Sequence, residues 1–201
     1  GGETKAEVYR IAYDGTSPSS WTKLVDFDDI DSRVTTITNF CVWNGKVYFG
    51  SVPGQLWESS DGISFTKNSG VGDGFGTSTI AIASLAEFQG YLYASTTNKI
   101  TGGQLWRTSD GLTWTNITAD AFGKGAKVEE LHNIRASFDR LWVTAYTNVE
   151  QALPSPIWYS VDGLSFVQSN SDGFGEPSNL GPNPVTIGFG NYQYHGGPNT
   201  V

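Results

Sequence analysis

The sequence predicts an all-β chain: a β-propeller of four-stranded antiparallel blades, about four blade equivalents, with the last blade shared between the termini. Three observations predict it. A motif of apolar strand, Asp-Gly and aromatic residue returns at intervals of about fifty residues. An apolar strand, a tight turn and a second apolar strand return in the same phase. The composition suits short strands and tight turns, with 25 Gly, 7 Trp, 9 Tyr and 11 Phe in 201 residues and only 16% charged, against about 25% in an average domain.

The first motif reads Leu56-Trp57, Asp61-Gly62 and Phe65, then Leu105-Trp106, Asp110-Gly111 and Trp114, then Ile157-Trp158, Asp162-Gly163 and Phe166. A looser copy opens the chain as Val8-Tyr9-Arg10, Asp14-Gly15 and Trp21. The Asp-Gly pairs start at 14, 61, 110 and 162, so the spacings are 47, 49 and 52. The strand pairs are Trp43–Tyr48, Phe88–Tyr93 and Phe189–Tyr194, with a shorter copy at Phe138–Trp142. A third element, Asp-x-Phe-Gly, recurs at Asp73–Gly76, Asp120–Gly123 and Asp172–Gly175.

Each unit therefore reads as four strands, in the third unit Ile80–Phe88, Tyr91–Thr97, Gln104–Ser109 and Thr113–Thr118. Asn-Gly and Asp-Gly between apolar runs favour two-residue hairpins, because both central residues of a type I′ turn need positive φ. No segment shows a helical period. The repeats fall at about 1–33 (a half blade), 34–75, 79–122, 128–174 and 184–201 (a half blade), in one domain or an excerpt of a larger propeller. Gly1-Gly2 precedes Val8-Tyr9 as Gly102-Gly103 precedes Leu105-Trp106, so the chain opens between strands two and three of a unit. It closes at the end of a strand two. The two half blades make one, which removes exposed sheet edges.

The net charge of −8 argues against nucleic acid, whose phosphates need a basic surface, and against an anionic membrane. No apolar run is long enough to span a bilayer. The single Cys41 sits in the apolar run Phe40–Trp43 and reads as a core residue. An acidic, Lys-poor composition rich in Ser, Thr, Asn and Gly leans towards an extracellular or cell-surface setting. The chain has no Met and opens on Gly1, which reads as a processed chain or a piece of a longer one.

The segments Ser59-x-Asp61-Gly62-x-Ser64-Phe65, Ser109-Asp110-Gly111-x-Thr113-Trp114 and Ser160-x-Asp162-Gly163-x-Ser165-Phe166 resemble the Asp-box (BNR-like) repeats of sialidase-like propellers. They are one residue shorter between the Asp and the aromatic. The strand pair Phe88-x-Gly90-x-Leu92-Tyr93 is kelch-like. The resemblance implies a repeat propeller of secreted or surface proteins. It implies no single activity, since such propellers include glycosidases, sorting receptors, assembly factors and adhesins.

A residue repeated in every blade is most simply architectural. Asp61, Asp110 and Asp162 read as turn formers whose carboxylates hold nearby backbone N–H groups. Trp57, Trp106 and Trp158 read as packing between blades, with a repeated platform for sugar rings as the functional alternative. Phe75, Phe122 and Phe174 would pin the blade-to-blade connections. Asp26, Asp28, Asp29 and Asp31 form an acidic knot, a weak candidate for calcium through hard oxygen ligands. The knot lacks the glycine and closing glutamate of an EF-hand loop, so a solvated turn is the expectation and no other cofactor is implied. Asn116-Ile117-Thr118 fits a glycosylation sequon.

The residues that break the repeat are Lys99, Tyr146, Glu150 and Gln151, with Glu130 and His132 at the start of an inner strand. They fall on the face that carries the variable loops, the longest being Ala145–Ser155, and a ligand or partner is expected there. For catalysis the pattern is silent. Arg10, Arg33, Arg107, Arg135 and Arg140 lack the context of a sialidase triad. A glycoside hydrolase needs two facing carboxylates, and nothing in the spacing singles out Glu130 and Asp139. There is no Ser-His-Asp elbow and no phosphate loop. The expectation is a non-catalytic extracellular propeller, a binding, adhesion or structural module that meets a protein or glycan at a surface or assembles into a larger structure. The alternatives are a glycan-active enzyme (sialidase-like or another glycoside hydrolase), whole or as a fragment, and a lectin with one sugar site per blade. A lectin would show equivalent pockets in every blade.

Overall fold

Short apolar runs separated by Gly, Asn and Asp pair with their immediate neighbours, and the result is a β-propeller of antiparallel meanders. The structure, a computed structural model, describes residues 6–13, 18–147, 154–171, 174, 185–189 and 192–196, the last two segments as backbone only. A hairpin of β1 (Glu7–Tyr13) and β2 (Pro18–Asp26) comes first. A complete blade follows: β3 (Thr36–Trp43), β4 (Lys46–Val52), β5 (Leu56–Ser59) and β6 (Thr66–Lys67), hydrogen-bonded in that order. The next is β7 (Ala81–Phe88), β8 (Tyr91–Thr97), β9 (Leu105–Thr108) and β10 (Thr115–Thr118). The third complete blade is β11 (Glu130–Ser137), β12 (Arg140–Tyr146), β13 (Ile157–Ser160) and β14 (Val167–Gln168). A hairpin of β15 (Val185–Phe189) and β16 (Tyr192–Gly196) follows. Each of these two hairpins forms its own two-stranded sheet.

The inner strands β3, β7 and β11 pack side by side. Side chains join them across the blade junctions. Thr38 Oγ1 donates to the Ile82 carbonyl at 2.7 Å and Asn39 Nδ2 to the Leu85 carbonyl at 3.1 Å. The Ile134 N–H donates to Ser84 Oγ at 3.3 Å. One backbone bridge, Glu130 to Thr97, runs β8 and β11 into a single ladder.

The turns between first and second strands are two-residue hairpins with both residues at positive φ: Asn44 and Gly45 at 48° and 74°, Gln89 and Gly90 at 51° and 81°, Phe138 and Asp139 at 52° and 54°. The Asp-Gly turns differ from expectation. Six residues separate β5 from β6 and β9 from β10, as they do β13 from β14, and only the glycine has positive φ. The reason is the carboxylate. Asp110 Oδ1 accepts the N–H groups of Leu112 and Thr113 at 2.8 and 2.7 Å and the Thr108 hydroxyl at 2.9 Å. The chain wraps around the acid instead of closing a tight hairpin. Asp61 and Asp162 do the same with residues 63–64 and 164–165.

These bonds hold Asp61 and Asp110 at about 2, chiefly through the backbone N–H two and three residues on, and Asp162 lower still. A depressed folded value adds stability above the unfolded carboxylate value, near 4, and loses it as pH falls through the folded value. The thermal midpoint is therefore expected to fall between about pH 4 and pH 2 on this account. A variant with Asn at all three positions should melt lower at neutral pH and lose part of that acid limb. A midpoint equal to wild type at neutral pH would overturn this role.

Blades are pinned by aromatic clamps. A phenylalanine of each connection lies against a tryptophan on the third strand of the next blade. Phe27 and Trp57 have ring centroids 4.9 Å apart, Phe75 and Trp106 are stacked at 4.7 Å, and Phe122 and Trp158 stand at 4.8 Å. A second ring closes two of the clamps: Trp114 at 5.0 Å from Phe75, and Phe166 at 4.9 Å from Phe122. Each junction has its own buried cluster. Cys41 packs against the middle one, and burial pushes its thiol pKa up. Phe27 belongs to a series read in the sequence only from Phe75 onward. Phe174, the expected fourth member, is more than half exposed.

Candidate functional site

Within each complete blade, strands one and three start on one face, and the Asp-Gly turns lie on the other. The loops 98–104 and 124–129 meet on the first face at the start of β11. The Asn98 N–H donates to the Glu129 carbonyl at 2.8 Å and the Gly103 N–H to the Val128 carbonyl at 2.9 Å. This closes a backbone frame around Glu130. Thr97 Oγ1 donates to Glu130 Oε2 at 2.6 Å, and His132 Nδ1 contacts Glu130 Oε1. His132 lies where the β11–β12 register slips between Leu131 and Asn133. The β3–β4 and β7–β8 ladders slip at the corresponding place. Such bulges re-aim a side chain that the ladder would otherwise direct into a neighbour.

Burial raises the Glu130 pKa, but the bonds from His132 and Thr97 outweigh it and hold the carboxyl below its ordinary value. Glu130 is thus an ionised, largely buried acceptor whose charge holds the Nδ1 hydrogen of His132. The imidazole Nε2 is then left to act on a ligand. Glu129 is buried beside it, with Oε2 3.8 Å from the exposed Lys99 ammonium. Tyr146 lies across the ladder from Glu130.

The structure therefore brings Glu130, His132, Lys99 and Tyr146 to one loop cluster. Glu150 and Gln151 lie outside the described residues. Asp139 sits in the β11–β12 turn, at the other end of β11 from Glu130, so the two cannot act as a facing pair. Three contributors were missed in the sequence: Thr97, Glu129 and Gly103. Thr97 had a signal, since it occupies the ladder position of Val52 in the preceding blade. Gly103 marked only the phase of the repeat. A Cβ at Gly103 would lie 2.5 Å from the Leu131 N and 2.9 Å from the Glu130 carbonyl carbon, both backbone atoms that cannot swing away. Gly103→Ala is expected to destabilise the fold by about 1–3 kcal/mol through overpacking and to displace Glu130. Thermal unfolding checks it, and an unchanged midpoint would refute the close approach.

The acidic knot is a single helical turn, Phe27–Ile30, with Asp26 as its cap and Asp28 and Asp29 exposed. Asp26 accepts the Asp28 N–H and pairs with Lys23 at 3.0 Å. Asp31 is largely buried. Arg33 at 2.7 Å, with Gln55, keeps its carboxyl well below the usual range. Asp26 and Asp31 are thus turned to different partners, and no group of three or more potential metal ligands converges among the described residues. Trp57 and Trp158 are buried, and Trp106 has one ring face covered by Phe75. Asn116 lies on the outer strand β10, half-exposed and opposite Trp106. On the turn face, one cleft is lined by Trp43, Asn44, Glu87 and Ser109, and the next by Glu87, Phe88, Gln89 and Asp139. They occupy successive blade junctions, but their polar groups differ.

No protein-family model and no curated protein matches the sequence. Solved structures do match in fold. A GH32 β-fructofuranosidase from Bombyx mori is 12% identical, with a TM-score of 0.53 over 79% of this chain and 40% of that one. Zg3597, a family 117 glycoside hydrolase of the marine bacterium Zobellia galactanivorans, is 14% identical, with a TM-score of 0.54 over 84% of this chain and 56% of that one. Sucrose-6-phosphate hydrolase from Lactobacillus gasseri is 13% identical, with a TM-score of 0.51 over 85% and 46%. The chain spans about half the length of these proteins. Among the described residues no helix is long and apolar enough to cross a membrane. The expectation of a non-catalytic surface module is corrected by these matches: the fold is one shared with glycoside hydrolases, which favours the glycan-active reading.

Proposed function

We propose that this chain is the glycan-active part of a glycoside-cleaving propeller, with Glu130 and His132 at its reactive centre. The observation that carries the reading is the carboxylate–imidazole pair at the start of an inner strand, on the loop face. Hydrolysis of a glycosidic bond requires one group that takes a proton from water or attacks the sugar, and another that protonates the leaving oxygen. Glu130 is ionised and held by Thr97, which suits it to orient His132, whose imidazole takes a proton from the attacking water and, as the imidazolium, passes it to the leaving oxygen. The fold shared with the β-fructofuranosidase, whose structure holds sucrose, supports neutral oligosaccharides, fructosides among them, as substrates. The acidic net charge also fits a neutral glycan better than an anionic one.

The test is release of reducing sugar from a panel of neutral oligosaccharides that includes sucrose, by the wild-type chain and by Glu130→Gln. Turnover lost in the variant supports the reading. Release that Glu130→Gln leaves unchanged overturns it, as does the absence of release from every substrate. The acid limb gives a further check. Because the Glu130 pKa is lowered, its charge persists through the ordinary carboxylate range, and any loss of activity that comes from discharging Glu130 itself should appear only below that range.

A further inference from the structure

One position of the third strand differs in charge from blade to blade. Glu58, Arg107 and Tyr159 face Tyr48, Tyr93 and Trp142 of their second strands, so they hold the same place in the ladder. Two residues before those partners stand Lys46, Tyr91 and Arg140. The first blade has both charges. Lys46 Nζ is 3.0 Å from Glu58 Oε1, and Asn68 Nδ2 donates to Glu58 Oε2 at 2.7 Å. The second blade has only the cation. The Arg107 guanidinium lies over the Tyr91 ring, 4.3 Å from its centroid. The ring attracts the charge but leaves the fork of N–H donors open, and Nη1 alone reaches an acceptor, the Tyr93 hydroxyl at 3.5 Å. Among the described residues no carboxylate pairs with Arg107. The guanidinium opens into a cleft of about 360 Å³ at the Asp-Gly turn, with Tyr91, Ser109, Asp110, Thr113 and Thr115 in its wall. Thr115 faces Arg107 across the β9–β10 ladder, Ser109 lies two residues further along the chain, and both are exposed.

We propose that this cleft binds a carboxylate-bearing sugar, a uronic acid unit of a glycan, whose carboxylate takes on Arg107 the place that Glu58 takes on Lys46 in the first blade. The planar fork of Arg107 matches the two oxygens of a carboxylate. Tyr91 holds the guanidinium in position beforehand, which lowers the cost of ordering it on binding. The hydroxyls of Ser109 and Thr115 meet the hydroxyls of the sugar ring. Asp110, already held by its own turn, accepts from a ring hydroxyl and keeps the charged end of the ligand on the Arg107 side. The volume lies within the range of small-ligand sites. The third blade does not repeat the cleft. It has Arg140 at 5.3 Å from the Tyr159 ring centroid, but Val161 stands at the place of Ser109 and Val167 at that of Thr115. The cleft lies on the face opposite Glu130 and His132, so binding there is independent of hydrolysis. A glycan whose cleaved bond is neutral can carry such a unit elsewhere along its chain.

The test is binding of glucuronate to the whole chain, beside glucose and acetate, followed by NMR at low ionic strength. Glucuronate should bind at least about ten-fold more tightly than either, the usual worth of hydrogen bonds to a charged group. It should shift the Nε–H signal of Arg107 and leave that of Arg140 in place. Arg107→Gln should weaken glucuronate binding at least about ten-fold, with a thermal midpoint near wild type because the side chain is partly exposed. Arg107→Lys, which keeps the charge and loses the fork, should recover only part of the affinity. Arg140→Gln should leave it unchanged. Glucose bound as tightly as glucuronate overturns the carboxylate, and acetate bound as tightly overturns the sugar. Binding that survives Arg107→Gln, or that leaves the Arg107 Nε–H signal of the wild-type chain unmoved, overturns the site. No turnover is measured, so failure of the hydrolytic reading would leave these outcomes intact.

Discussion

Trp158→Ala is expected to lose about 3–5 kcal/mol of stability, the range for removing a large aromatic from a packed interior. The indole is 3% exposed and lies between Phe122 of the preceding connection and the buried cluster of the last complete blade. Its removal leaves a cavity between blades that the strands cannot fill, because their spacing is held by ladders on both sides. Phe122 would lose one of its two ring partners and keep only Phe166. The effect should also exceed that of Trp106→Ala, since Trp106 is only half-buried and anchors its Nε1 on Gln104 at 3.0 Å. Chemical denaturation of the two variants measures both. A Trp158→Ala variant within about 1 kcal/mol of wild type would mean that the clamps do not hold the blades together.

Glu130→Gln is expected to lower turnover by about 10²–10⁴-fold, the usual contribution of a positioned acid–base group, with a much smaller change in thermal midpoint. The amide matches the carboxylate in size, and its oxygen still accepts from Thr97. What it lacks is charge. Without the charge, His132 Nδ1 has no anion to bond, and the imidazole is no longer held with its hydrogen directed inward. The loss should fall on kcat, because the pair is argued to act on the reacting proton and not to grip the sugar. A variant that raises KM alone would assign Glu130 to substrate binding instead.

Much of the fold was legible because propeller architecture is periodic and local. Asp61, Asp110 and Asp162 announce the same turn three times, and Asn44-Gly45 has the backbone freedom that a two-residue hairpin needs. Adjacent strands pair with sequence neighbours, so no long-range choice had to be guessed. The form of the Asp-Gly turn was misread because its determinant is a side chain that folds back on its own backbone, and dipeptide chemistry alone does not distinguish that from a hairpin.

The site was much less legible. Glu130, His132, Lys99 and Tyr146 stood out only as departures from the repeat, and nothing in their spacing joined them to Thr97 or Glu129. Thr97 is 33 positions from Glu130, on a different blade, and the two meet because β8 and β11 share one backbone bridge. The sequence by itself determined the repeat, the strands and the turn positions, since each depends on chemistry within a few residues. Only the tertiary structure decided which repeat-breaking residues share a carboxylate. That depends on how two blades are packed, which the clamps and inner strands set across the junctions.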